Sequence, residues 1–217
     1  MQIKFISNLV VVVSLITLSA VIAAEPVRVA CVGDSITYGA GVDNRGVNNY
    51  PKVLGTLLGE NYDVRNYGVS GATLLKKGDK PYWGLREFKA VAEFNPQIVV
   101  LKLGTNDSKP QNWKYKEEFA DDLRAMLDAF ASFPAKPKVW ICLPVPVYQD
   151  KWGINEATIK GEVIPVIRSV AKEKGAATVD LYTALTGHPK DFPDGVHPNA
   201  AGAALIAQTV HGAITGK

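Results

Sequence analysis

The apolar residues of this chain follow two patterns, short continuous runs and longer stretches with helical spacing. Short runs that are apolar throughout are typical of strands buried on both faces of a parallel sheet. The run that ends at Val32 has this pattern. The sequence predicts five strands in all: Arg28–Val32, Asp63–Tyr67, Gln97–Leu103, Lys138–Leu143 and Ala177–Leu181.

Stretches with helical spacing separate several of these runs. The clearest is Lys116–Phe130, where apolar side chains recur every three or four residues. A second stretch is apolar at intervals over 159–170 and ends at Gly175; Pro165 either kinks this helix or marks a late start for it. The last helix runs from Asn199 to about Ala213. Strands that alternate with helices predict an α/β fold, a three-layer sandwich with helices on both faces of a parallel sheet.

The first 24 residues differ from the rest of the chain. Lys4 precedes an apolar stretch, Leu9–Ile22, and the small residues Ala23 and Ala24 follow it. This is the layout of a secretory signal peptide. An uncleaved membrane anchor is the alternative, but the apolar stretch is shorter than the ~20 residues a span needs. We therefore expect residues 1–24 to be removed, and the protein to be secreted or periplasmic with no stable membrane anchor.

Residues 25–217 have a length suited to one domain with a full core. The chain carries 24 Lys and Arg against 21 Asp and Glu, a net charge of +3. This charge is too small and too scattered to predict binding to nucleic acid or to a membrane surface. Cys31 and Cys142 fall inside different candidate strands, so we expect buried free thiols rather than a disulfide.

Polar or glycine-containing segments follow the candidate strands. Because the carboxyl ends of parallel strands meet at one edge of the sheet, where ligands bind, we expect these segments to converge there. Together they supply a serine hydroxyl, backbone N–H groups, a side-chain amide, a carboxylate and an imidazole. The segments are Gly33–Thr37, Asn66–Thr73, Gly104–Asp107 and Asp194–Pro198.

This set of groups is what acyl transfer requires. The Ser35 hydroxyl is a weak nucleophile until a base takes its proton, and His197 can do so near neutral pH. Asp194, three residues before that histidine, can fix its tautomer and orientation. The backbone N–H groups of Ser35 and Gly71 and the side-chain amide of Asn106 can stabilise the oxyanion of a tetrahedral intermediate.

With these four blocks in this order, the sequence resembles the SGNH hydrolases, also called GDSL esterases and lipases. The resemblance covers nearly all of residues 25–217, and Ile36 stands where the family name has leucine. It implies Ser35 as the nucleophile, with the other four residues in the roles given above; Gly68 is the alternative to Gly71. It also implies a flavodoxin-like sandwich with the parallel strand order 2-1-3-4-5. Asp34 and Asp107, in the same blocks, are interpreted as residues that orient neighbouring loops.

The resemblance implies a carboxylic ester hydrolase, similar to exported carbohydrate or sialate O-acetylesterases. We expect it to remove small acyl groups, above all O-acetyl groups, from a sugar or polysaccharide. A lysophospholipase or thioesterase of the same fold and a catalytically silent carbohydrate-binding module are the alternatives. No cofactor or metal is expected, because no cluster has metal-ligand spacing and no phosphate-binding motif is present. Loop aromatic residues either contact the substrate or anchor loops to the core; they are Trp83, Trp113, Trp152 and Tyr148.

Overall fold

A computed structural model describes Met1 and residues 25–217 of this chain. Its centre is a five-stranded sheet in the order β2-β1-β3-β4-β5, with every neighbouring pair parallel. The strands are β1 (Val27–Gly33), β2 (Tyr62–Gly68), β3 (Ile98–Lys102), β4 (Lys138–Cys142) and β5 (Ala177–Val179). The predicted α/β class and the strand order implied by the family resemblance are both confirmed.

Helices follow the strands and cover both faces of the sheet. The α-helices are α1 (Ser35–Tyr38), α2 (Arg45–Asn48), α3 (Tyr50–Leu58), α4 (Arg86–Phe94), α5 (Pro110–Trp113), α6 (Phe119–Ala131), α7 (Glu156–Thr158), α8 (Ile164–Lys174), α9 (Leu181–Leu185) and α10 (Ala200–Thr215). Short 3₁₀ turns lie at Tyr82–Gly84, Asn106–Ser108, Lys116–Glu118 and Pro189–Asp191, and a π-helical segment lies at Ile159–Val163.

Two apolar cores sandwich the sheet because alternate residues of each strand point to opposite faces. On one face, Val32 and Leu101 contribute to a core that includes buried side chains of α4, α6 and α8. On the other, Cys31 and Val100 contribute to a core with buried side chains of α3, α9 and α10. The result is the three-layer sandwich that the alternation of strands and helices predicts.

Three element boundaries differ from the sequence-based expectation for local reasons. The predicted fifth strand stops at Val179, because the Asp180 side chain accepts the Thr183 N–H at 2.9 Å and begins α9. The predicted helix at Lys116 starts with a 3₁₀ turn and becomes α-helical only at Phe119. Pro165 does not mark a late start, because helical backbone runs without a break from Glu156 to Lys174; the proline lies just after the π-helical segment, whose altered hydrogen bonding accommodates a residue without an N–H.

The predicted signal peptide, residues 1–24, lies outside the continuous described stretch 25–217, so the structure carries no information about it. Within the part of the chain that is described, none of the helices is long and apolar enough to cross a membrane.

Candidate active site

Ser35 is the first residue of α1 and lies two residues after the carboxyl end of β1. The preceding residue, Asp34, is the N-cap of this helix, and its carboxylate accepts the Ile36 N–H at 3.0 Å. Gly33 allows the close approach that this turn needs, because a Cβ there would lie 2.6 Å from the Lys102 carbonyl oxygen. The strand-to-helix turn thus fixes the backbone on which the Ser35 hydroxyl is mounted.

A buried ion pair supports this turn from below. Lys102, at the end of β3, places its Nζ 3.3 and 3.2 Å from the two carboxylate oxygens of Asp34 and 3.1 Å from the Thr105 hydroxyl. The Lys102 and Asp34 side chains are both fully buried. Lys102 is a functional residue that the motif blocks do not indicate. A lysine at the end of the otherwise apolar run Ile98–Leu101 was the available signal, since a buried charge is rare unless it is paired.

The segment Asp194–His197, just before α10, supplies the carboxylate and the imidazole. One oxygen of Asp194 accepts the backbone N–H groups of Val196 at 2.8 Å and His197 at 2.7 Å. The chain can turn this tightly because Gly195 has a φ of +83°, and a Cβ there would lie 2.5 Å from the Cβ of Gln149. The segment therefore presents both side chains to the same place.

Ser35, His197 and Asp194 form a continuous hydrogen-bonded chain. The His197 Nε2 lies 2.9 Å from the Ser35 Oγ, and the His197 Nδ1 lies 2.8 Å from the second oxygen of Asp194. Burial raises the pKa of the Asp194 carboxyl, but hydrogen bonds from the backbone and ring of His197 and from the Val196 N–H outweigh it. The net effect lowers the pKa below its ordinary value. The carboxylate is therefore ionised at neutral pH.

The three residues predicted to supply the oxyanion donors share one cavity, which Ser35, Gly71 and Asn106 all line. The Asn106 amide donates one N–H to the Ala72 carbonyl at 3.1 Å, which leaves its second N–H for a ligand. Gly71 has a φ of +84°, a conformation that favours glycine. Gly68, by contrast, packs against α1 and donates its N–H to the Asn66 side chain at 2.9 Å, so of the two glycines it is Gly71 that lies at the cavity.

Asp107 connects the two loops that carry these donors. Its buried carboxylate accepts the N–H groups of Leu74 at 3.1 Å and Leu75 at 2.8 Å, just beyond Gly71 in the chain. Burial raises the pKa of this carboxyl to about 7, although the two backbone hydrogen bonds oppose the shift. Asp107 and Asp34 thus make the loop-orienting contacts that the sequence predicts for them.

The cavity over these groups is small, with a volume of about 230 Å³. Trp152 and Ile154 form part of its wall, next to His197. The Trp152 ring lies 5.3 Å from the His197 ring, centroid to centroid, and 55% of the tryptophan is exposed. Its φ of +54° is uncommon for a bulky residue. The cavity therefore has an exposed aromatic side chain at its edge, on a residue whose backbone is in the left-handed conformation.

The other loop aromatics are tied to the protein by hydrogen bonds. The indole N–H groups of Trp83 and Trp113 donate to the Leu74 carbonyl at 2.9 Å and to Glu162 at 3.0 Å. The Tyr148 hydroxyl donates to the Leu185 carbonyl. Within residues 25–217, no group of three or more His, Cys, Asp and Glu side chains is arranged to hold a metal ion.

Comparison with known proteins places this site in a family. The model of the GDSL-like lipase/acylhydrolase family matches residues 31–205, which contain every residue of the hydrogen-bonded chain. The chain belongs to the GDSL-like lipase/acylhydrolase family. The resemblance predicted from the four motif blocks is confirmed.

Two curated relatives are longer proteins. An acetylxylan esterase from Xylanibacter ruminicola is 41% identical over 88% of this chain and 43% of its own length. A multidomain esterase from Ruminococcus flavefaciens is 26% identical over 83% of this chain and 27% of its own length. The chain thus spans less than half the length of the curated relatives it matches.

Several solved structures share the fold. A carbohydrate acetylesterase from Sinorhizobium meliloti has a TM-score of 0.73 at 19% identity, over 88% of this chain and 99% of that one. An aryl esterase from M. smegmatis has the same TM-score at 18% identity and the same coverage. At these identities the likeness concerns the fold alone.

Proposed function

We propose that this protein hydrolyses small acyl esters on a carbohydrate, above all O-acetyl esters, through Ser35, His197 and Asp194. The observation that carries the proposal is the hydrogen-bonded chain itself. A serine hydroxyl lies 2.9 Å from an imidazole nitrogen whose other nitrogen lies 2.8 Å from a carboxylate. This geometry suits proton transfer from the nucleophile as it attacks.

The reaction proceeds in two half-reactions. As the Ser35 Oγ bonds to the acyl carbon, its proton moves to the His197 Nε2, and the imidazolium then protonates the departing sugar oxygen. Water next attacks the acyl-enzyme, again giving its proton to His197, and the released Ser35 Oγ takes a proton back. Asp194 accepts the Nδ1–H throughout and stabilises the positive charge on the ring.

The negative charge of each tetrahedral intermediate falls on the former carbonyl oxygen. We assign its stabilisation to the backbone N–H groups of Ser35 and Gly71 and to the free N–H of Asn106, all at the same cavity. Removal of one such donor typically costs about 10²–10³-fold in rate. Asn106→Ala is therefore expected to retain the fold with a rate lowered by that order.

The cavity favours a short acyl group and a sugar as its alcohol part. A volume of about 230 Å³ suffices for an acetyl group, and the exposed Trp152 at its edge is suited to packing against a sugar ring. The name of the acetylxylan esterase, which is 41% identical to this chain, agrees with this substrate class. We propose further that residues 25–217 form a single hydrolase domain.

We also infer that residues 1–24 are an export signal, so that the enzyme meets its glycan outside the cytoplasm. The basic start, apolar stretch and small residues of this segment support the inference. Sequencing the amino terminus of the protein recovered outside the cytoplasm tests it. A protein that retains residues 1–24 would contradict the inference.

Hydrolysis of p-nitrophenyl esters from acetate to octanoate tests the proposed reaction, with Ser35→Ala as the control. We expect the rate to be highest with acetate, to fall with chain length and to vanish in the variant. The acetate released from acetylated xylan is measured next. A maximum at longer chains would favour a lipid or thioester substrate, and activity that persists in Ser35→Ala would refute the mechanism.

A further inference from the structure

A second, larger cleft opens beside the catalytic cavity. It has a volume of about 610 Å³ and shares Trp152 and Ile154 with the catalytic cavity. One wall is formed by α5 and the residues just after it, and the other by residues 150–155. A glycan whose acetyl group reaches Ser35 can therefore continue into this cleft past Trp152.

The charge that lines the cleft is positive on balance, since three lysines and one carboxylate, Asp150, lie there. Lys114 and Lys151 are exposed, and within the described stretch 25–217 neither forms a salt bridge. The carboxylate of Asp150 is already engaged, because it accepts the Asn155 side-chain N–H at 2.7 Å and the Glu156 backbone N–H at 2.9 Å.

The third lysine of this cleft, Lys116, is neutralised. Its Nζ lies 2.9 Å from Glu162, which also accepts the indole N–H of Trp113. The two lysines without a carboxylate partner instead lie against aromatic rings. The Nζ of Lys114 is 4.8 Å from the centroid of the Tyr115 ring, and the Nζ of Lys151 is 4.8 Å from that of Trp152. Two accessible ammonium groups thus lie beside aromatic surface in one cleft.

The backbone holds Trp152 at the boundary between cleft and cavity at some cost. A non-glycine residue in the left-handed region typically costs on the order of 1–3 kcal/mol. The turn is closed by the Ile154 N–H, which donates to the Lys151 carbonyl at 2.9 Å, and Gly153 has a φ of +82°. This turn places Lys151 in the cleft, next to Trp152, which lies between the cleft and the cavity that contains Ser35.

We propose that this cleft binds a uronic acid residue of the glycan, close to the sugar whose acetyl group is removed. The carboxylate of the uronic acid pairs with Lys114 and Lys151. Trp152 packs against the sugar that lies between the uronic acid and the ester. The proposal rests on the proposed function and adds the substrate class to it: an acidic, acetylated oligosaccharide rather than a neutral one.

The test compares two acetylated xylo-oligosaccharides that differ only in a glucuronic acid branch, using the double variant Lys114→Gln/Lys151→Gln. Rates on p-nitrophenyl acetate serve as the reference for an intact Ser35 site. The wild type is expected to have a lower KM for the branched substrate. The double variant is expected to raise that KM about five- to tenfold, with a much smaller change for the unbranched substrate, since each exposed ion pair contributes modestly.

Lys172→Gln is the matched control. Lys172 is an exposed lysine in the last turn of α8, away from the residues that line the cleft, so this variant is expected to retain the wild-type preference. Equal KM values of the wild type for both substrates, or an equal rise for both in the double variant, would refute the uronate site while leaving the esterase proposal intact.

Binding to Ser35→Ala separates the two proposals further. Calorimetry with the deacetylated branched and unbranched oligosaccharides measures the cleft without turnover. Tighter binding of the branched one, weakened between about 50 and 500 mM salt as expected of exposed charges, supports the uronate site. Absence of acetate release from both substrates by the wild type would refute the proposed function, and the binding measurement would still decide the uronate site.

Discussion

Asp194 makes two different kinds of contact with its two carboxylate oxygens. One oxygen accepts backbone N–H groups from its own loop, and the other lies 2.8 Å from the His197 ring. The first set of contacts fixes the loop, and the second orients the base. An isosteric change at this residue can therefore spare the loop and still disturb the imidazole.

We expect Asp194→Asn to lower kcat by about 10³–10⁴-fold, because an amide N–H facing Nδ1 favours the tautomer with its proton on Nε2. His197→Ala should lower kcat further, since it removes the base itself. Both rates are measured with p-nitrophenyl acetate, and circular dichroism checks the fold. Unchanged kcat in Asp194→Asn would contradict the orienting role.

Among the structural elements, the turn from β1 to α1 depends most on one buried interaction. Asp34 caps α1 and pairs with Lys102 of β3, and neither side chain is exposed. Two charges removed from water together are tolerated, whereas one left alone is costly. The pair thus couples the position of Ser35 to the centre of the sheet.

Lys102→Met should destabilise the protein by about 3–5 kcal/mol, because it leaves the Asp34 carboxylate buried without its partner. The double variant Lys102→Met/Asp34→Asn should recover part of this loss, since asparagine is as good an N-cap as aspartate. Urea unfolding measures the free energy of unfolding of the two single variants, Lys102→Met and Asp34→Asn, and of the double variant. If the loss in the double variant equalled the sum of the losses in the single variants, the ion pair would not be the cause.

Asp107, which connects the loop of Asn106 to the loop that follows Gly71, makes the stability of the folded protein depend on pH. Its folded pKa, about 7, lies above the ordinary value, so the folded state holds the proton more tightly than the unfolded chain does. Its contribution is fully present below about pH 4 and is lost as the pH rises through about 7.

The free energy of unfolding of the wild type, relative to Asp107→Asn, should therefore fall by up to ~1.4 kcal/mol per pH unit across this window. Urea unfolding of the two proteins at a series of pH values gives the difference, in which the other carboxylates cancel. A difference that is independent of pH would contradict the raised pKa.

For the whole molecule, the sheet itself determines the fate of the two thiols. Cys31 and Cys142 are buried on β1 and β4, which β3 separates. Strands two positions apart in a sheet lie about 10 Å from each other, beyond the reach of a disulfide. Burial raises the pKa of the Cys31 thiol strongly and that of Cys142 to about 12, so neither is reactive in the folded protein.

Dithiothreitol should accordingly leave the Tm unchanged, and a thiol reagent should label both cysteines only at the rate of global unfolding. Labelling followed over a range of urea concentrations, beside unfolding followed by tryptophan fluorescence, checks this. Fast labelling of either cysteine in the native protein would mean that the sheet opens locally there.

The features that sequence could predict are those determined by local patterns. Five strands, the long helices α6 and α10 and the segments that carry Ser35 and His197 all have such patterns, and parallel topology brings the segments to one edge. Lys102 was missed because its role depends on Asp34, which is distant in sequence. The orientation of Trp152 and the charge of the adjoining cleft depend on packing between loops, which no local pattern encodes.

The separation of Ser35 and His197 along the chain has a consequence for folding during synthesis. These residues are 162 positions apart, one in the first element after β1 and the other just before the last helix. A nascent chain that has not yet been extended to His197 carries the serine without its base. A reagent that reacts only with an activated serine would therefore label only molecules in which Ser35 and His197 have come together, and its incorporation over time would report that step of folding.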